Sequence, residues 1–169
     1  ARFNPSDDSF TLTSFDNSSQ LYNFNEIMDV EGDAAGNLWI STRVGLVRFN
    51  PTNGDFTRIE QLEPNGSKSM QKNLFLKLHI NEEGNVLVGS WVNGIYEYNP
   101  NNGSWKQHLI DKEKRENSGY ANKINDFILL DKQRILFTSY YFGFGILDYS
   151  SGSIEYLKLE NERWTRTPG

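Results

Sequence analysis

The sequence predicts an all-β chain, and three observations carry that reading. A block of 48 or 49 positions recurs along nearly all of its 169 residues. Within each block, short β-branched and aromatic runs alternate with Gly, Asn and Pro turns. No stretch keeps a helical period. The clearest repeat is Gly45-Leu46-Val47-Arg48-Phe49-Asn50-Pro51-Thr52-Asn53-Gly54-Asp55-Phe56, which matches the segment from Gly94 to Trp105 49 positions on. Upstream, Gly36-Asn37-Leu38-Trp39-Ile40 matches the segment from Gly84 to Val88. A third copy runs from Ile135 to Ser139, resumes as Gly145-Ile146-Leu147-Asp148-Tyr149, and closes on Ser150-Ser151-Gly152. A truncated earlier copy, Arg2 to Phe10, echoes Arg48 to Phe56. Each full copy is preceded by Asn-x-apolar-x-x-apolar, beginning at Asn25, Asn73 and Asn122.

One copy, taken in order, reads as four strands. Residues 26–31 are mostly apolar, and Asp33-Ala34-Ala35-Gly36-Asn37 supplies a turn. Leu38-Trp39-Ile40-Ser41-Thr42 suits a pleated, packed surface, and Leu46-Val47-Arg48-Phe49 resumes after Gly45. Asn50-Pro51-Thr52-Asn53-Gly54 is a tight turn, because Pro presets φ and Asn-Gly accepts the left-handed region. Phe56-Thr57-Arg58-Ile59 is the fourth strand. Four antiparallel strands per block, with glycine and aromatic landmarks in step, are the mark of a β-propeller blade. The expected architecture is a β-propeller fragment of about three and a half blades. It comprises an outer strand pair at 2–16, blades at 24–60, 73–110 and 122–159, and a tail at 160–169 that the repeat does not explain.

Such a fragment is not expected to close on its own, since propellers take about four to eight blades. An uncovered blade face leaves about five large apolar side chains in water, each worth ~1.5–3 kcal/mol when buried. Two open faces then forfeit on the order of 10 kcal/mol, comparable with the ~5–15 kcal/mol net stability of a whole domain. The expected partners are therefore the remaining blades of the same propeller, or a companion fragment. The opening residues Ala1-Arg2-Phe3-Asn4-Pro5 form neither a signal peptide nor an initiator Met, so the chain is expected to be part of a longer protein.

Composition narrows the function classes. Four Trp, eight Tyr and eleven Phe are far more than a disordered chain carries. A net charge of −5, without a dense basic stripe, argues against a nucleic-acid partner. The one basic run, Lys112-Glu113-Lys114-Arg115, is broken by acid and reads as a solvated loop. The absence of Cys removes disulfides, thiolate chemistry and Cys-type zinc sites. No apolar run approaches the ~20 residues of a membrane helix, so no membrane contact is expected in this segment. Neither a cofactor nor a metal is expected.

The pattern Asp33-x-x-Gly36-Asn37-Leu38-Trp39-Ile40-Ser41-Thr42-x-x-Gly45-Leu46-x-Arg48-Phe49 resembles the two-component regulator propeller repeat. That repeat has the form D-x-x-G-x-L-W-I-G-T-x-x-G-L-x-R-Y. The later blades drift from it: Trp39 gives way to Leu87 and then Phe137, and Lys132-Gln133-Arg134 replaces the third Gly-Asn turn. The resemblance implies the periplasmic sensor region of a hybrid two-component histidine kinase of gut Bacteroidetes. In that family two seven-bladed propellers precede an immunoglobulin-like domain, a membrane helix, kinase, receiver and DNA-binding modules, and the ligands are oligosaccharides. It also implies paired, dimeric sensors in the parent protein and control of polysaccharide use. No kinase or phosphoacceptor residue falls within this segment.

Strand order places the loops between second and third strands on one rim, with the blade-to-blade connections at roughly 61–72 and 110–121. Binding residues tend to sit on such loops. On that rim Trp91, Tyr140, Tyr141 and Phe142 offer flat faces, while Arg43 and Asn93 offer donors, a mixture that suits a sugar ring. Aromatics at a blade rim more often wedge neighbouring blades together or meet another domain, and that reading stands beside the ligand one. Trp39 and Trp105 occupy strand positions and read as structural. Asp29, Lys77 and Asp126 fall at one position of the innermost strands, where they either line a polar channel and satisfy backbone groups or bind something there. His79 and His108 have no acid beside them in sequence. Catalysis is not expected of this segment. Asp33 to Trp39 has one residue too many for a sialidase Asp-box, and the chain offers no arginine triad or close carboxylate pair. A non-catalytic interaction scaffold is the alternative, although WD40 and kelch signatures are lacking.

Overall fold

The computed structural model describes residues 2–15, 24–59, 74–110, 122–140, 142–160 and 163–168. Within them lie fifteen strands and no helix. A hairpin, β1 (Arg2–Asn4) and β2 (Ser9–Thr11), comes first. A four-stranded sheet follows, built from β3 (Ile27–Gly32), β4 (Leu38–Thr42), β5 (Leu46–Phe49) and β6 (Phe56–Ile59). The second sheet holds β7 (Phe75–Ile80), β8 (Val86–Ser90), β9 (Ile95–Asn99) and β10 (Ser104–His108). The third holds β11 (Ile124–Leu129), β12 (Arg134–Ser139), β13 (Gly143–Asp148) and β14 (Ser153–Glu160). Each of the three larger sheets is an antiparallel meander in chain order, the arrangement of a propeller blade. The third sheet gains a fifth strand, β15 (Arg163–Pro168), paired along the whole of its length with β14. The repeat gives no hint of it, because only β14's free edge calls for it.

Turns follow from local chemistry. Asn50, Asn99 and Asp148 each open a hairpin turn whose glycine N–H returns to the opening residue's carbonyl, from Gly54 (2.9 Å), Gly103 (2.9 Å) and Gly152 (2.7 Å). The opening side chain also accepts the N–H two residues on, at Thr52, Asn101 and Ser150. In the first blade Asp33 accepts from the backbone of Ala35 and Asn37, the Asn37 amide and the Trp39 indole (3.0 Å). Burial works to raise the Asp33 pKa, but these hydrogen bonds outweigh it and hold the carboxyl below its ordinary value.

Register corrects the third copy. Ser139 pairs with Gly143 and Phe144 with Thr138, so Gly143, not Gly145, stands where Gly94 does. A slip of two keeps every side chain on its own face, which is why the misaligned copy still fits the alternation. Likewise Leu136, opposite Ile128, holds the place of Trp39 and Leu87, while Phe137 belongs with Ile40 and Val88.

The blades bury their faces against one another. On β8, Val86 and Val88 enter a core with Trp39, Leu46, Phe75 and Leu78, between the first and second blades. Leu87 between them points the other way, into a core with Ile124, Phe127, Ile135 and Phe137. The period of 2 thus splits one strand between two seams. Trp105 stacks on Phe75 (5.8 Å), and the buried Trp39 lies 6.0 Å from Tyr98, so both indoles belong to the first seam. Ahead of the first blade, Phe15 and Phe24 cover Ile40, Val44 and Val47. Among the described residues the blades do not close into a ring.

The innermost strands β3, β7 and β11 lie side by side. Each carries a register shift at the same place, between Ile27 and Asp29, Phe75 and Lys77, and Ile124 and Asp126. A bulge re-aims the residue that follows it, here the recurring charged position. Lys77 Nζ meets Asp29 Oδ2 at 3.1 Å, and the Leu78 N–H donates to the same oxygen. The Asp29 hydrogen bond, reinforced by the fields of Asp29, Asp126 and Glu31, raises the Lys77 pKa. Asp29 and Lys77 thus pair across two blades, while Asp126 accepts the Phe127 N–H of its own strand.

Candidate functional site

The rim is assembled by one repeated device. At the end of each second strand a hydroxyl ties down the loop that follows. Thr42 Oγ1 accepts the Gly45 N–H (3.1 Å), Ser90 Oγ the Asn93 N–H (2.7 Å) and Ser139 Oγ the Phe142 N–H (2.9 Å). The first loop residue is then pinned to the innermost strand's entrance. The N–H groups of Arg43, Trp91 and Tyr140 donate to the carbonyls of Glu26 (3.1 Å), Leu74 (2.9 Å) and Lys123 (3.2 Å). Glu26, Leu74 and Lys123 each follow a recurring Asn. The asparagines act at the blade junctions: Asn25 Oδ1 accepts from Phe15 N–H and Asn122 Oδ1 from Ile110 N–H, both at 2.7 Å.

Each blade therefore presents one pair of side chains at the same height of the rim. In the first, Arg43 forms an ion pair with Glu26 at 3.4 Å. In the second, Trp91, whose N–H meets the Leu74 carbonyl, is 36% exposed. In the third, Tyr140 is 66% exposed. Lys123 reaches across the seam, with its Nζ 3.5 Å from the Trp91 ring centroid and 5.1 Å from that of Tyr140. Trp91 and Tyr140 are thus brought together by a lysine that the sequence reading did not single out. Its signal was the slot after the recurring Asn.

The other candidates fall elsewhere. Arg43 stands one blade away on the same rim. Asn93 is partly buried, and its carbonyl accepts from Gln107 Nε2 (3.0 Å). Phe142 turns into the blade, stacks on Tyr156 at 4.8 Å and joins the second seam. Tyr141 lies outside the described residues, as do the connections 61–72 and 111–121. Away from the rim, the second seam holds a polar cluster. His108 Nε2 stands 3.7 Å from Glu97 Oε2, and Asn85 Nδ2 donates to Glu97 Oε1 at 2.8 Å. His108, then Asn85, hold the Glu97 carboxyl below its ordinary pKa against the opposing effect of burial. Among the described residues no three His, Asp or Glu side chains form a group that could hold a metal.

Neither a family model nor a curated protein matches the chain. Solved structures do. The chain is similar to the extracellular domain of the hybrid two-component system BT3049 of B. thetaiotaomicron, with a TM-score of 0.60 and 14% identity. It is also similar to that of BT4673 from the same organism, with a TM-score of 0.60 and 19% identity. The matches cover 92% and 81% of this chain but only 25% and 17% of those proteins. The blade stack therefore has the fold found in the extracellular domains of B. thetaiotaomicron hybrid two-component systems, of which it spans a quarter or less.

Proposed function

We propose that these blades are a non-catalytic, ligand-sensing segment of the extracytoplasmic propeller of a hybrid two-component sensor. In this reading the segment lies in the periplasm, the ligand is an oligosaccharide, and the output controls polysaccharide utilisation. A dimeric parent transmits the signal through a ligand that favours one arrangement of the pair over the other. The observation that carries the reading is the fold shared with two sensor systems' extracellular domains, together with exposed aromatics held on one rim. The open faces are covered by the remaining blades of the same propeller. Ile27 and Val30 at one end and Phe144 at the other are the exposed apolar residues those blades bury.

The test is the thermal unfolding of the whole extracytoplasmic region against a panel of oligosaccharides. A cognate ligand at a hundredfold excess over its Kd adds about 2.7 kcal/mol to stability. A panel without any stabilising member, or one whose member is hydrolysed, overturns the proposal.

A further inference from the structure

The rim between the second and third blades differs from the rim of the first in one chemical respect. Arg43 has a carboxylate at hand in Glu26. Lys123 has two aromatic faces and, among the described residues, neither a carboxylate nor a hydrogen-bond acceptor for its ammonium. Ring quadrupoles offset part of the charge of a half-buried cation. They do not satisfy three N–H donors, which need oxygen. The main chain that carries the lysine and the indole is also tied down before any ligand arrives. Lys123's carbonyl is bonded to Tyr140 N–H, and Trp91 is tied to Leu74. Binding then has little main-chain ordering to supply at these positions.

We infer that Lys123, held between Trp91 and Tyr140, receives the carboxylate or sulfate of an acidic saccharide whose ring lies against those aromatics. This rests on the saccharide-sensing reading above and narrows its ligand class. A charge-assisted hydrogen bond to Lys123 fixes the acid group, while the exposed aromatic surface takes the sugar's C–H face. A neutral sugar leaves the ammonium without its anion.

Calorimetric titration of the whole extracytoplasmic region tests this, comparing the native protein with Lys123→Gln and Lys123→Arg. The probes are an oligogalacturonate, a sulfated disaccharide and the neutral counterpart of each, at low and high NaCl. One acidic probe is expected to bind and to weaken as salt rises, and which one binds distinguishes carboxylate from sulfate. Lys123→Gln is expected to weaken it about tenfold or more, and Lys123→Arg to keep most of the affinity. An unchanged melting temperature in unliganded Lys123→Gln separates this effect from loss of a clamp between blades. Equal affinity for the neutral counterpart, or indifference to Lys123→Gln, overturns the inference and leaves the saccharide reading standing. Inorganic sulfate is a further probe, and its binding through Lys123 as tightly as that of the sulfated disaccharide also overturns the inference, because the lysine then holds an anion without a sugar. Binding of none of the probes ends both.

Discussion

The first blade and its neighbours carry the same residue types at the same positions in different surroundings. Ile27, Phe75 and Ile124 share one slot of the innermost strand, as do Val30, Leu78 and Phe127. In the second and third blades these side chains are at most 3% exposed, yet Ile27 and Val30 are 48% and 53% exposed. The far end mirrors this. Leu46 and Ile95 are fully buried, while Phe144 in the equivalent slot of β13 is 42% exposed. Each blade hides the leading face of the blade after it and the trailing face of the blade before it. A blade's stability is therefore a property of its neighbours, as in other stacked-repeat proteins.

The largest expected effect tests that dependence directly. Leu78→Ala removes a buried side chain from the first seam and is expected to cost ~2–5 kcal/mol in urea unfolding. Val30→Ala, in the same slot, should cost the 169-residue chain less than about 1 kcal/mol. In a longer protein with a blade ahead, Val30→Ala should approach the cost of Leu78→Ala. Equal costs in the short chain would break the comparison.

A smaller effect separates close approach from backbone conformation. Gly94 has φ +77°, and a Cβ there would run into the carbonyl oxygen of His108. Gly103 has φ +72° with open space around it. Gly103→Ala should cost about 1 kcal/mol, from backbone conformation alone. Gly94→Ala should cost ~1–3 kcal/mol more, since β9 cannot then approach β10's end. Matching losses in the two variants would remove the role given to this contact.

The smallest effect compares turns. Asp33 in the first blade and Asn81 in the second open the same turn, each accepting backbone N–H groups two and four residues on. Only Asp33 titrates. Its folded pKa is lowered below 3.8, so its contribution is complete above that value and is lost as pH falls through the folded pKa. Asp33→Asn should cost about 1 kcal/mol at neutral pH and flatten the acid limb of the stability curve below pH 3.8. An unaltered acid limb would assign that dependence to other carboxylates.

What was legible in the sequence was whatever depends on near neighbours along the chain. Strands β3 to β6 fall where alternation and turn residues place them, because pleat period and Asn-Pro-x-x-Gly geometry act over a few residues. Repetition then gave the blade, since a sheet apolar on both faces has to stack. Tertiary structure decided the rest, because those contacts join residues far apart in sequence. Neither the shared bulge that sets Lys77 against Asp29, the fifth strand β15 nor the inward turn of Phe142 has a local signature. The placement of Lys123 between Trp91 and Tyr140 spans a seam, and only two blades docked at a fixed angle bring a lysine of one onto an indole of the other.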